Sequence, residues 1–328
     1  MHILILGAAG MIGRKLVARL VADGALNGQP IDSLTLADIV APQAPAGFSG
    51  KLTTKVSDLS APGDAAALVK SRPDVIFHLA AVVSGEAEAD FDKGYRINLD
   101  GSRLLFEAIR QEGLKQPYFP RLVFCSSLAV FGPPFASPIG DTFLTAPLTS
   151  YGTQKAITEL LLADYSRRGI FDGIGIRLPT ICIRPGKPNA AASGFFSNIL
   201  REPLVGQEAV LPVDDDVRHW FASPRAAVQF LVHGASIDLS DLGARRNLIM
   251  PGLSATVADE IAALEAVAGP GAVRLIRRER DERIARIVDG WAFDYAPTLA
   301  LSLGFRAEST FREIIAAHID DELGGTLP

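Results

Sequence analysis

The chain has few of the residues that build metal centres and disulfide frameworks: 2 cysteines and 5 histidines in 328 residues. Cys125 and Cys182 both lie in apolar, strand-like runs without histidines at ligand spacing. They read as buried, reduced thiols in a reducing compartment, and no metal site is expected. Charge of one sign is never concentrated. No block of five like charges occurs, and the one locally basic stretch, Arg277-Arg278-Glu279-Arg280, is interrupted by an acid and reads as a solvated helix or loop. A formal charge of -5 and a pI near 5.6 give no electrostatic footprint for nucleic acid or an anionic membrane. No run of 18 apolar residues occurs, so no membrane-spanning helix is expected. The opening stretch Met1-His2-Ile3-Leu4-Ile5-Leu6-Gly7 is too short, and broken too early by glycine, to read as a signal peptide. The expectation is a cytoplasmic protein.

What is present is a rhythm. Apolar runs at 2–7, 34–37, 52–56, 75–79, 122–125 and 174–178 alternate with amphipathic stretches, among them 15–22, 87–112 and 151–167. Most of these runs are continuous rather than alternating, which predicts burial on both faces. Strand–helix alternation of this kind predicts an α/β fold, a Rossmann-type doubly wound parallel sheet. After Pro179 the rhythm breaks: Pro185, Pro188, Pro203, Pro212 and Pro224 punctuate short segments, with helical patterns at 226–232, 257–267 and 311–319. We therefore expect a dinucleotide-binding portion over 1–178 and a smaller α+β, substrate-binding portion over 179–328, packed together without a linker.

The first strand runs into Gly7, Gly10 and Gly13, with Met11 and Ile12 opening the amphipathic stretch that follows. Glycine permits a sharp turn and lets a pyrophosphate approach the N–H groups of a helix start. The spacing G-x-x-G-x-x-G is weak as a bare pattern; its place between strand and helix makes it specific. Asp38 ends the second strand, where a carboxylate can accept the hydroxyls of an adenosine ribose and would repel a 2′-phosphate, so NAD is expected over NADP. Asp58-Leu59 follows the third strand, where a carboxylate could meet an adenine amino group or simply cap a turn. Ala80 and Ala81 follow the fourth and are small enough to let backbone pass close to a cofactor; His78 before them reads as a core residue.

Tyr151 and Lys155 stand four residues apart, which on a helix puts both on one face. A neighbouring ammonium favours phenolate, so Lys155 is expected to lower the pKa of Tyr151 towards the range of a useful base. Ser127 lies at the end of the fifth strand, where open α/β sheets place ligands, and a hydroxyl there can donate to an oxygen changing between alcohol and carbonyl. No G-x-S-x-G surrounds Ser126 or Ser127, which excludes the hydrolase elbow.

These pieces, in order, resemble the extended short-chain dehydrogenase/reductase family, which includes nucleotide-sugar epimerases and dehydratases. The matching segments are G-A-A-G-M-I-G (7–13), Asp38, Asp58-Leu59, H-L-A-A (78–81), Asn98, C-S-S-L-A-V-F-G (125–132), Y-G-T-Q-K (151–155) and R-L-P (177–179). The resemblance implies that Tyr151 is the acid/base, that Lys155 holds the nicotinamide ribose, that Ser127 contacts substrate and that Asn98 supports the site from a long helix. It also implies that Pro179 borders the cofactor and that the chain forms a homodimer.

The chain departs from the nucleotide-sugar members in two places. They usually carry asparagine where this chain has Thr180, and R-x-x-x-H-V-x-D where it reads R-H-W-F-A-S-P-R (218–225). A smaller hydroxy-acid substrate is then expected. Arg218 could grip its carboxylate in a bidentate fork, or instead pair with Asp214, Asp215 or Asp216. Ser84 and Thr180 could bond its hydroxyls, and Trp220 and Phe221 read as core. The run 177–204 resembles that of a family member oxidising a four-carbon sugar acid at C2 with NAD, and adds Asn189, Ser193, Asn198 and Arg201 as polar candidates, the last two on what also reads as a surface helix. The alternatives are a nucleotide-sugar epimerase that retains NAD, and an NAD sensor without chemistry.

Overall fold

In the computed structural model, residues 1–186 and 192–327 are described. The chain divides into two units. The first comprises Met1–Val130, Pro147–Leu178 and Val228–Ile249; the second comprises Phe131–Ala146, Pro179–Ala227 and Met250–Pro328. Among the described residues no helix is long and apolar enough to cross a membrane.

The first unit is built on seven strands: β1 (His2–Leu6), β2 (Ser33–Asp38), β3 (Lys51–Val56), β4 (Val75–His78), β5 (Arg121–Ser127), β6 (Asp172–Leu178) and β7 (Asn247–Ile249). Their order across the sheet is β7-β6-β5-β4-β1-β2-β3, and every neighbouring pair is parallel. Ile3, Leu4 and Ile5 of β1 and Ile76 and Phe77 of β4 are fully buried, as continuous apolar strands demand. The exception is β3, at the sheet edge, whose Lys51 and Lys55 are exposed. Charge on an edge strand discourages pairing with another chain. Strand β7 has only three residues and little hydrophobic signal of its own; Gly175 of β6 makes room for it, since a Cβ there would fall 2.0 Å from Asn247 Oδ1.

Connecting helices include α1 (Met11–Asp23), α2 (Asp64–Val69), α3 (Gly101–Lys115) and α4 (Ser150–Arg167). Phe106, Leu105 and Ile109 of α3 and Leu162 of α4 form one core cluster with Leu4, Ile76, Leu122, Phe124 and Phe171. The expected long helix over 87–112 is instead segmented. A short helix, Ser84–Ala89, ends at Asp90, whose side chain accepts from Lys93 N and starts Phe91–Gly94; a π-turn, Tyr95–Asp100, then leads into α3. The local side-chain hydrogen bond of Asp90 competes with helix continuation, which hydrophobic periodicity cannot register.

The second unit holds α5 (Gly194–Leu204), α6 (Pro224–Ser236, whose later turns return to the first unit), α7 (Val257–Val273) and α8 (Phe311–Glu322). A three-stranded sheet joins Thr180–Ile181, Arg218–Ala222 and Leu253–Thr256. Phe196, Ile199 and Leu200 pack with Phe221, Leu264 and Ile314 in a separate core. Helix α5 is therefore mostly buried rather than a surface helix, and Trp220 and Phe221 are buried as expected.

Candidate active site

The sheet topology creates a crevice. From β1 the chain winds outward through β2 and β3, then returns to β4 on the other side of β1, so the connections diverge between β1 and β4. A crevice at such a switch point, beyond the carboxyl ends of the strands, is where doubly wound sheets bind ligands. Here it has a volume of about 350 Å³ and is lined by Gly7, Gly10, Asp38, Asp58, Leu59, Ala80 and Ala81, with Ala9, Val40, Val82 and Ile97 among the other contributors.

The glycines are there for space. Gly7 has φ +86°, and a Cβ on it would sit 2.7 Å from Ala80 N. Such a contact is with backbone and has nowhere to move. A Cβ on Gly13 would fall 2.1 Å from Gly7 O, so Gly13 lets α1 press onto the loop rather than lining the crevice. Gly10 caps α1, and no acidic residue occupies the first turn. The free N–H groups of that turn, at Met11, Ile12 and Gly13, suit an anion.

Asp38 is held at the end of β2. Its Oδ2 accepts from Ala9 N at 2.9 Å and its Oδ1 from Val40 N at 3.3 Å, which fixes the carboxylate at the crevice wall. Asp58 is more heavily engaged: Oδ1 accepts from Ser60 N (2.9 Å) and Ser60 Oγ (2.6 Å), and Oδ2 from Arg96 Nη1 (3.2 Å). Burial acts to raise its pKa, but the Ser60 bonds and Arg96 together hold the carboxyl below its ordinary value. Arg96 also donates to Ser60 Oγ at 2.7 Å, a tie across 36 positions that local sequence pattern does not reveal. Glycines that keep the loop open, a pinned carboxylate at the end of β2 and an anion-ready helix start together fit a dinucleotide.

A second cluster lies at the end of β5. Tyr151 and Lys155 occupy the first turns of α4, which is capped by Thr149 Oγ1 accepting from Gly152 N at 3.1 Å. A Cβ at Gly152 would lie 2.1 Å from Ala129 O, so glycine lets this helix start close against the segment after Ser127. Lys155 is buried, and its Nζ donates to Cys125 O at 2.8 Å while lying 4.8 Å from the centre of the Phe124 ring and 5.6 Å from that of Tyr151. Ser127 Oγ accepts from Ala129 N at 3.1 Å.

The electrostatics correct one expectation. Lys155 does not bring Tyr151 down: burial pushes the Tyr151 phenol above its ordinary value, Cys125 adds to this, and only the Ser127 hydroxyl pulls the other way. The Lys155 ammonium is directed at a carbonyl rather than at the phenol, and its own pKa is lowered by burial, opposed by Cys125 and Glu159. Desolvation of the phenolate outweighs a cation that is not aimed at it.

Asn98 lies in the π-turn and is buried. Its Oδ1 accepts from Val82 N at 2.9 Å; its Nδ2 donates to Val82 O at 3.1 Å and to Gln154 Oε1 at 2.7 Å. Below it, His78 Nε2 bonds Ser102 Oγ at 2.8 Å, and that hydroxyl donates to Asn98 O at 2.7 Å. Ser102 therefore accepts from His78, so the proton is on Nε2. Burial, with a smaller push from Lys155, lowers the His78 pKa to about 3. His78 is the neutral core residue its position suggested. Ser126 donates to Glu159 Oε1 at 2.6 Å, and Glu159 is gripped bidentately by Arg177 at 2.9 and 2.7 Å, an ion pair buried between α4 and β6.

Ser84 is exposed at the first position of its short helix. In the second unit Pro179 is buried, and Thr180 Oγ1 lies 2.6 Å from Nε2 of buried His219. Arg218 is exposed and donates to Ser254 O at 3.3 Å; Asp214 and Asp215 pair instead with Arg280 and Arg278. The basic stretch 277–280 is thus neutralised partly by those aspartates. Ser193 accepts from Arg184 Nη2 at 3.1 Å, and Arg201 Nη2 donates to Asn198 Oδ1 at 2.8 Å, so both have structural partners. Asn189 lies outside the described residues. Cys125 and Cys182 are free thiols, Cys182 fully buried and Cys125 partly exposed.

The NAD dependent epimerase/dehydratase family matches residues 3–223. The D-erythronate dehydrogenase of Cupriavidus necator is 47% identical over 325 residues, covering 98% of each chain. The D-erythronate dehydrogenase of Haemophilus influenzae is 40% identical over 323 residues, 98% of this chain and 100% of that one. Among solved structures, a crystal structure described as the nucleoside-diphosphate-sugar epimerase from Agrobacterium tumefaciens superposes with a TM-score of 0.98 at 68% identity, covering 100% of this chain and 96% of that one. With a family match over two thirds of its length, laid on a parallel sheet whose glycine loop, acidic strand end and Tyr–Lys helix are now located, the chain belongs to the NAD-dependent epimerase/dehydratase family, the extended short-chain dehydrogenases.

Proposed function

We propose that this protein is an NAD-dependent dehydrogenase that oxidises a secondary hydroxyl of a small sugar acid, D-erythronate at C2 to 2-dehydro-D-erythronate. The observation that carries the reading is the near-full-length similarity to two enzymes named D-erythronate dehydrogenase, in a chain whose Ser127, Tyr151 and Lys155 gather at the end of β5. NAD would be held by the Gly7–Gly13 loop, Met11 and Ile12, Asp38, Asp58, Leu59, Ala80, Ala81, Tyr151, Lys155 and Pro179. When bound, it supplies a hydride acceptor whose nicotinamide ring is positively charged.

The chain's own residues do the rest. Ser127 donates to the substrate oxygen and orients it. Tyr151 Oη takes the hydroxyl proton as the carbonyl forms. Because partial burial holds the Tyr151 phenol above its ordinary value, this proton transfer is helped by positive charge close by, and Lys155 is the resident cation. Asn98 holds the Val82 backbone. Arg218 is assigned the substrate carboxylate, and Ser84 and Thr180 its further hydroxyls. The same reading takes the protein as a cytoplasmic homodimer, which light scattering tests.

Screening C3–C6 aldonates with NAD, read by NADH absorbance, tests the reading. Sustained NADH formation with D-erythronate is expected, and none with any aldonate would remove it. The second reading, a nucleotide-sugar epimerase, draws on the 68% identical structure described as one. Turnover of UDP- or dTDP-sugars without net NADH would establish it instead. Thr180 speaks against it, since this chain has a hydroxyl where sugar-nucleotide members usually present an amide.

A further inference from the structure

Gln154 stands between Tyr151 and Lys155 and is fully buried. It is placed at a cost. Its Oε1 accepts from Asn98 Nδ2 at 2.7 Å, but its Nε2 has no hydrogen-bond partner among the described residues. An unpaired buried amide is destabilising, a cost that a methionine or leucine of similar volume would avoid. The neighbouring backbone is shaped around this amide: a Cβ at Gly94 would lie 2.7 Å from Gln154 Nε2 and 3.1 Å from Ala87 Cα.

What the amide secures is the orientation of Asn98. An asparagine side chain presents its oxygen and nitrogen on opposite sides, and flipping it exchanges donor for acceptor. Here Oδ1 must face Val82 N, and Nδ2 must face Val82 O and Gln154 Oε1. A flipped Asn98 would set Nδ2 against Val82 N and Oδ1 against Val82 O, and Gln154 Oε1 adds a third contact that opposes the flip and ties Asn98 to the Tyr151 helix. Val82 in turn lines the crevice beside Ala80 and Ala81.

We propose that Gln154 is a positioning residue: through Asn98 it locks the Val82 backbone and so couples the helix bearing Tyr151 and Lys155 to the wall of the dinucleotide crevice. The proposal rests on the NAD reading above. Gln154 is not among the residues lining the crevice and acts through two intervening groups, Asn98 and the Val82 backbone.

Two variants test it. Gln154→Met keeps the volume and removes the acceptor. Gly94→Ala leaves Gln154 chemically intact and displaces its amide. Each is expected to raise the Kd for NAD, measured by titration calorimetry, by about tenfold, the worth of one lost hydrogen bond. Each is also expected to speed hydrogen exchange at the Val82 amide in the protein without added NAD, and to leave the pH dependence of kcat where Tyr151 sets it. The double variant should lose less affinity than the sum of the two singles, because both act on the Asn98–Gln154 contact and Gly94→Ala adds only its push on Ala87. A Kd within about twofold of the parent together with unchanged Val82 exchange, even with a lowered Tm, would make Gln154 a space-filler and overturn the proposal. A parent protein that binds no NAD removes both this proposal and the function it rests on, whereas a binding parent with unaffected variants removes this one alone.

Discussion

The Lys155 ammonium donates to the Cys125 carbonyl at 2.8 Å and is not directed at the Tyr151 hydroxyl. The lysine therefore reaches the tyrosine through space, across a buried cluster, rather than through a hydrogen bond. Lys155→Met removes the buried cation and its carbonyl contact together. We expect kcat to fall by at least about a hundredfold, the scale of a lost acid–base contribution, with NAD affinity reduced as well; steady-state kinetics and calorimetry on the same preparation check both.

Tyr151→Phe deletes only the proton acceptor. Turnover is expected to fall by about 10²–10⁴-fold, while NAD binding stays within about twofold because the ring and helix remain. Undiminished NADH formation in this variant would remove Tyr151 as the base.

The raised Tyr151 pKa has a direction in the pH profile. Oxidation needs the phenolate, and the phenol is the favoured form at neutral pH, so kcat/KM should climb as pH rises and fall as it drops. Between about pH 6 and 9 the slope should approach one log unit per pH unit, unless bound cofactor brings the apparent pKa into that range, where a plateau would mark it. A profile flat across the whole range in both the parent and Tyr151→Phe would contradict the assignment.

His78 makes a prediction about stability. Its folded pKa is depressed to about 3, against about 6.5 for an unperturbed histidine. In this window the unfolded chain binds a proton that the folded chain refuses, so stability is full above about pH 6.5 and is lost as pH falls towards 3. The slope from one such group is about 1.4 kcal/mol per pH unit. His219, depressed to about 4 by its own burial, acts in the same sense. His78→Gln can still donate to Ser102 but does not titrate; its Tm should fall less than that of the parent between about pH 6.5 and 4.5. Parallel Tm curves for the two proteins would show that His78 does not titrate on unfolding in that window.

Glu159 and Arg177 form a bidentate pair with side-chain exposures of 3% and 9%. Glu159→Gln leaves a buried guanidinium facing a neutral amide and weakens the bond from Ser126. Breaking such a pair by removing one charge costs about 3–5 kcal/mol. Denaturant unfolding should show a loss of that size, and a change below about 1 kcal/mol would mean water reaches Arg177 in the variant.

The parts of the candidate site that were legible in the sequence are those built from neighbours along the chain. The loop Gly7–Gly13 announces itself because strand, turn and helix are contiguous and glycine alone meets the backbone demand there. Tyr151 and Lys155 are legible because helical spacing fixes their shared face. Asp38 and Ser127 are legible because they end apolar runs, and the strand rhythm told of a parallel sheet before its order was known.

Tertiary structure alone decided the rest. Strand β7, three residues long, exists because Gly175 leaves room for it beside β6, not because its own sequence insists. The segmentation of the helix before α3, the Arg96 hold on Asp58, and the bond from Asn98 to Gln154 join residues 38 and 56 positions apart, or hang on one local hydrogen bond of Asp90. The direction of the Tyr151 pKa was also out of reach. Spacing reports that a cation is near, but whether desolvation or attraction wins depends on where the ammonium points and how dry the hydroxyl is, and only the packed structure fixes those two quantities.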